Sequence, residues 1–166
     1  MPGYGILDVK DGKGLLPWSW AIKHLSKAHN YWVATTRPNG RPHAMAVWGV
    51  WLDNTFYFST GGRSRKARNL TKNPGCVVCT ERADEAVIVE GVASKARASS
   101  IPGQVAKEYS RKYKWKLDPK QGPIYAVRPR VVFGFIEASD EFSSAATRWV
   151  FEDSSVSSIS GPVSAT

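Results

Sequence analysis

The stretch GGRSRKARNL, residues 61–70, carries the densest chemistry in this chain. Arg63, Arg65, Lys66 and Arg68 stand there with no carboxylate among them, and Ser64 and Asn69 add polar groups beside the charges. Guanidinium and ammonium groups take phosphate through charge-assisted hydrogen bonds, Arg as a planar fork and Lys as a point charge. Gly61 and Gly62 let the backbone turn sharply, and RKARNL is a good helix former, so free N-terminal amides and side-chain cations can converge on one anion. A solvated basic helix face has the same composition. Position favours the anion site, because the run follows two strand-like stretches, YWVATT and HAMAVWGVWLDNTFYFST, and so sits at the end of a sheet.

Other reactive side chains form no comparable group. Cys76 and Cys79 have redox-motif spacing but lie in GCVVCTE, a β-branched run in which positions three apart point to opposite faces, so reduced core or half-buried thiols are expected. His24, His29 and His43 lack the helical spacing and neighbouring carboxylate of a metal pair, and no metal is expected. No Ser, His and acid arrangement is recognisable, and Tyr31, Tyr57, Tyr125 and His43 are generic proton-donor candidates only.

The elements that must position the basic run are legible in outline. A glycine-rich arm, residues 1–15, precedes a short amphipathic helix with Pro17 near its start and Trp18, Ile22 and Leu25 at helical spacing. YWVATT reads as a strand, Asn39-Gly40 turns it into a second, longer strand, and Asp53-Asn54 leads to a third, TFYFST. Asn73-Pro74-Gly75 ends the basic helix. GCVVCTE and EAVIVEGVASKA then form a hairpin with Gly91 marking a bulge. Residues 101–113 read as a basic helix, and IYAVRPRVVFGFIE as a strand interrupted at Pro129. Meandering strands with two or three helices predict a small barrel or an α+β sheet in one domain, residues 16–152, followed by a flexible Ser-rich tail, 153–166.

Along the strand HAMAVWGVW, His43, Met45, Val47, Gly49 and Trp51 share one face and Ala44, Ala46, Trp48 and Val50 the other, without the sequence saying which face fills the barrel. For Trp48 and Trp51, core or dimer packing competes with ligand contact. The net charge of +9 over 166 residues attracts phosphates, nucleic acid, anionic lipid or an acidic cofactor. A second basic region runs from Lys95 to Lys120, including Lys107, Arg111, Lys112 and Lys114, yet the aromatics are not interleaved with cations in an RNA-binding motif, so specific nucleic-acid binding is not expected. No segment has the length of a signal-peptide core or a membrane span, and cytoplasmic residence is the expectation.

The hairpin TTRPNGRPHAMAVWGVW, the strand TFYFST, the segment SRKARNLTKNPG and the strand EAVIVEGVA resemble the pyridoxamine 5'-phosphate oxidase-like superfamily, over about two thirds of the chain. Lys66, Arg68 and Asn69, with Leu70 and Asn73-Pro74 following, resemble the phosphate-binding stretch of its flavin/deazaflavin (F-420)-dependent oxidoreductase group, B-type branch. The resemblance implies a mainly β, FMN-binding-type antiparallel split β-barrel with two to three peripheral helices. It also implies a homodimer with a cofactor groove between the subunits. The chain is shorter than expected of a true pyridoxamine phosphate oxidase, so vitamin B6 chemistry is not the expectation.

The implied cofactor is the deazaflavin coenzyme F-420, with FMN as the alternative and haem as a minor option. Both flavin-type cofactors carry a tricyclic ring and a ribityl phosphate, but F-420 continues into an anionic glutamate tail that rewards cations beyond the phosphate clamp. Arg63, Ser64, Arg65, Lys66, Arg68 and Asn69 are the implied phosphate site. Met45, Ala46, Val47 and Trp48, with Ser59 and Thr60, are the implied lining of ring and ribityl chain. The expected activity is hydride transfer to a quinone, enone or tetrapyrrole type of acceptor. A non-catalytic flavin, deazaflavin or haem binding protein is the alternative of another class.

Overall fold

In the computed structural model, residues 15–137 and 145–151 are described, so nearly all of the expected arm and the whole of the expected tail lie outside them. Helix α1 (Trp18–Lys27) starts directly after Pro17, whose fixed φ suits a helix start. Its buried stripe is Ala21 and Leu25, while Ile22, expected on that stripe, is exposed. Strands β1 (Tyr31–Thr36) and β2 (Pro42–Val47) form the predicted hairpin, with Gly40 at a φ of 80° that a side chain would resist.

The long strand expected to follow is two strands. β2 ends at Val47 and β3 (Gly49–Leu52) begins after Trp48, so four strands and not three precede the basic helix, the fourth being β4 (Thr55–Ser59). Asp53 and Asn54 turn β3 into β4 with φ of 48° and 53°, a left-handed pair that these two residue types tolerate. Helix α2 (Arg65–Lys72), strands β5 (Gly75–Thr80) and β6 (Glu85–Lys95), helix α3 (Gly103–Tyr113) and strand β7 (Ile124–Ile136) follow as the sequence predicts. A short strand β8 (Thr147–Val150), unforeseen from sequence, pairs with the distal half of β7.

The strand order is β2-β1-β5-β6-β7-β4-β3, antiparallel at every pair. Its two ends, β2 and β3, are joined in the chain by Trp48 alone. Consecutive Cα atoms lie about 3.8 Å apart, so the sheet must curl until its edges meet, and the result is a split barrel. Alternating residues fill it: Tyr31, Val33, Phe56, Phe58, Val78, Val87, Val89, Val127 and Val132 are all at most 1% exposed. Helix α1 closes one opening, where Trp18 meets Trp51, Trp149 and Phe151 edge to face. A second, smaller core lies outside the barrel, where Val105, Tyr109 and Tyr113 of α3 cover Val50, Tyr57 and Ile124.

β7 continues through Pro129 instead of breaking there. The register with β6 shifts by one residue between Glu90 and Gly91, leaving Arg130 as the extra residue, so the inward set changes from Tyr125 and Val127 to Val132 and Gly134. Gly91 is the residue this bulge requires, because a Cβ there would lie 2.4 Å from the Arg128 carbonyl oxygen. The alternation also settles the thiols: Cys76 is buried inside and Cys79 is half-buried outside, both free, with burial pushing the Cys76 thiol up to about 12.

Candidate functional site

The basic run is fixed where β4 leaves the barrel. The Thr60 amide donates to the Pro123 carbonyl at 3.2 Å, and Gly122 packs so closely that a Cβ on it would lie 2.5 Å from the Thr60 carbonyl oxygen. After the turn at Gly61 and Gly62, Ser64 caps α2: its Oγ accepts from the Ala67 amide at 3.2 Å and exchanges a hydrogen bond with Thr60 Oγ1 at 3.1 Å. Ala67, Asn69 and Leu70 are the buried face of α2. Arg63, Arg65 and Arg68 are exposed and Lys66 is half-buried, its ammonium lowered from the usual lysine range by desolvation. Among the described residues, no carboxylate pairs with any of these four cations.

Asn69 holds a different place from the cations. It is 0% exposed, and its Nδ2 donates to Thr35 Oγ1 at 2.9 Å, which in turn donates to the His43 carbonyl at 3.3 Å. This chain of bonds ties α2 to β1 and β2. Among the described residues, Asn69 Oδ1, His43 Nδ1 and Arg37 Nε are buried with no hydrogen-bond partner. Asn69 therefore sets the seat of the helix, and the cations face outward from it.

Of the remaining expected residues, the half-buried Ser59 ends β4, Met45, Ala46 and Val47 lie on β2, and Trp48 follows it directly. Met45 shares the inward side with His43 and Val47, yet it is exposed because β2 is the last strand of its path and its outer edge has no strand partner. Val47 is buried opposite Tyr31, leaving only its backbone for a ligand. Ala46 and Trp48 face the outer side, so these four consecutive residues do not present one common surface. From His43, which α2 reaches through Thr35, to Trp48 is five residues, roughly 17 Å of strand. The cations of α2 and Trp48 thus lie toward opposite ends of β2.

At the Trp48 end stands a group that sequence reasoning missed. Tyr113 of α3 lies flat against Trp48, ring centroids 4.8 Å apart and planes 9° from parallel. Its hydroxyl accepts from the Gly49 amide at 2.9 Å and shares its proton between the carbonyls of Gly49 and His29, each at 2.8 Å. Lys112 Nζ donates to Tyr31 Oη at 2.8 Å and to the Gly49 carbonyl at 3.2 Å, and Tyr31 donates to the Leu25 carbonyl. Desolvation brings Lys112 down to about 8, while burial pushes Tyr113 up to about 12. Lys112 is committed to this end and not to the clamp. Lys95, Arg97 and Lys120 stand nearer the clamp, since Ala96 bonds Ile124 at the mouth of β7 and Pro123 bonds Thr60. The hydrogen-bond partners of Tyr113 and Lys112 lie 63 to 84 residues away in the chain, so no local sequence signal points to the group.

A curled antiparallel sheet that delivers a capped cationic helix start beside an edge strand is a split β-barrel. Residues 21–135 match the family described as pyridoxamine 5'-phosphate oxidase, and the chain belongs to that family. Similar solved structures include an F420 reductase (23% identity, TM-score 0.54, 66% of this chain and 93% of that one). A pyridoxamine 5'-phosphate oxidase-related, FMN-binding protein of Nostoc punctiforme is also similar (19%, TM-score 0.56, 85% and 94%). So is HutZ, described as the haem storage protein of Vibrio cholerae (19%, TM-score 0.56, 70% and 91%). At these identities the likeness concerns the fold. No curated protein matches the chain significantly. No helix among the described residues is long and apolar enough to cross a membrane.

Proposed function

We propose that this chain is an oxidoreductase that holds the deazaflavin coenzyme F-420 and directs hydride from its reduced form to a small conjugated acceptor of the quinone, enone or tetrapyrrole type. The observation that carries the reading is the start of α2, where Lys66 is partly desolvated, with no acidic partner among the described residues, beside three exposed arginines and a capped helix terminus. A cation held partly out of water without a counter-ion is suited to a ligand anion. The residues fit a ribityl phosphate: Ser64 and Thr60 fix the loop, Lys66, Arg65 and Arg68 orient the phosphate, and Asn69 seats the helix. Arg63, with Lys95, Arg97 and Lys120 around the same barrel end, favours the longer anionic tail of F-420 over the single phosphate of FMN.

The cofactor, when bound, supplies the two electrons; the chain supplies orientation and exclusion of water. Ser59 and Thr60 line a track from the clamp, Met45 and the free backbone edge of β2 flank its middle, and Ala46, Val47 and Trp48 bound its far end. A homodimer completes the reading. On the outer sheet face Ala46, Trp32, Cys79, Ile88 and Phe133 form a cross-strand row of exposed or half-buried groups, a surface suited to a second copy.

The decisive experiment titrates the purified protein with oxidised F-420 and with FMN side by side, following ring fluorescence at low and moderate salt, and then presents the reduced complex with a quinone and an enone. Tighter binding of F-420 and oxidation faster than in free solution are expected. Preference for FMN would make the chain an FMN-dependent oxidoreductase, a reading that a one-phosphate clamp also suits. Binding without faster oxidation would make it a carrier, and binding of neither would overturn the proposal.

A further inference from the structure

Trp48 is 42% exposed although its ring is stacked flat on the buried Tyr113, and that combination needs a reason. It sits at the one position between β2 and β3 that belongs to neither ladder. The backbone after it is pinned, since both polar groups of Gly49 are bonded to Tyr113, and Lys112 adds a second donor to the carbonyl. Gly49 itself admits no alternative, because a Cβ there would lie 2.2 Å from the Phe56 ring. One face of the indole is covered by Tyr113, which is buried and braced in turn by the ring of Tyr109 at 4.8 Å and that of His29 at 5.2 Å. The 42% of Trp48 that is exposed lies on surface that Tyr113 leaves uncovered.

We propose that Tyr113 is a positioning residue that holds Trp48 as a pre-set stacking platform for a planar conjugated ring, so that α3 governs ring binding without touching the ligand. This rests on the reading of Trp48 as part of the ring end of the site. An indole already held flat by one aromatic neighbour loses little freedom when a second plane stacks on its open face. The ligand class is a planar conjugated system, the ring of the cofactor or of its acceptor. The clamp and the platform are then separable: one reads charge, the other reads a π-face.

The test compares FMN, riboflavin and F-420 on the full chain and on Tyr113→Leu, Tyr113→Phe, Trp48→Leu and Lys66→Ala, each first checked for native circular dichroism. An indole stacked on a flavin quenches its emission, so the readouts are affinity and the emission of the fully bound ring. Tyr113→Leu is expected to weaken riboflavin and FMN alike, about two- to ten-fold, and to restore part of the bound-ring emission. Lys66→Ala should weaken FMN while leaving riboflavin unchanged. Should Tyr113→Leu fail to fold, Tyr113→Phe keeps the stack but loses the bonds to Gly49 and His29, and a rise in bound-ring emission is expected there too. Unchanged affinity and emission in folded Tyr113 variants, with Trp48→Leu still effective, would overturn the role of Tyr113 alone. Unchanged behaviour in Trp48→Leu would remove the ring end itself. A change in sedimentation without a change in ring signal would assign the platform to the subunit contact and overturn the inference.

Discussion

At the residue scale the molecule spends its cations in two ways. Lys66, Arg65 and Arg68 have no acidic partner among the described residues, whereas Lys112 is turned inward onto Tyr31 and Gly49. Lys66→Ala and Arg68→Ala are expected to weaken cofactor binding about ten-fold or more, the worth of a charge-assisted hydrogen bond, with little change in thermal midpoint. Fluorescence titration beside a melting curve checks both. Ser64→Ala removes the cap of α2 and should cost roughly 1 kcal/mol of stability, read by chemical denaturation. Lys112 gives a pH signature. Its folded value of about 8 lies below the usual 10.5, so the unfolded chain binds more protons between those values and stability rises with pH across that window. Tyr113, raised to about 12, and Tyr31, raised also, oppose this above pH 10, where the tyrosines of the unfolded chain deprotonate while those of the folded chain stay protonated. Stability should therefore climb from pH 8 to 10 and turn over beyond it, and Lys112→Met should flatten the climb. The cationic run at the start of α2 was legible in the sequence because its residues are neighbours with no carboxylate among them. The Lys112 and Tyr113 group was not, because its partners lie 63 to 84 residues away.

At the scale of elements, local signals were reliable where local physics decides. Asn39-Gly40, Asp53-Asn54, Pro17 and Asn73-Pro74-Gly75 all punctuate the chain where expected, and Gly91 marks a true bulge. The break at Trp48 escaped because inward and outward residues keep their alternation straight through it, Val47, Gly49 and Trp51 in, Ala46, Trp48 and Val50 out. Periodicity reports faces, and only tertiary pairing reports that the partner strand has changed. Pro129 misled in the opposite direction, since a bulge absorbs its missing amide without ending the strand. Gly49 is the element-scale weak point: Gly49→Ala would drive a methyl into Phe56 and toward the Tyr57 carbonyl, and a loss of about 1–3 kcal/mol or more is expected, visible as a lowered denaturation midpoint.

At the scale of the whole molecule, the outer sheet face is the feature an isolated barrel does not explain. Trp32 stands exposed between Ala46 and Cys79, with Ile88 and Phe133 continuing the row. A dimer is expected by sedimentation, and Trp32→Glu or Ile88→Glu should shift it toward monomer while lowering ring affinity more than the distance to α2 alone would. A native chain that stays monomeric at cofactor-saturating concentration would remove the shared groove from the proposed function.

The one-residue link between the two sheet edges has a consequence for how the chain is made. β1 with β2, and β3 with β4, are each joined to the next strand by a short turn, so both hairpins can form as soon as Ser59 has emerged. They then remain two separate ribbons tethered at Trp48, each with an unsatisfied edge, because the strands that lie between them are synthesised afterwards: β5 and β6 extend the first, and β7 must pair with β6 and β4 at once. Ring closure therefore waits until β7 has been made. A ribosome stalled before Ile124 would hold an aggregation-prone nascent chain. Chaperone recruitment along the transcript should accordingly rise after Ser59 and fall once β7 is outside the exit tunnel.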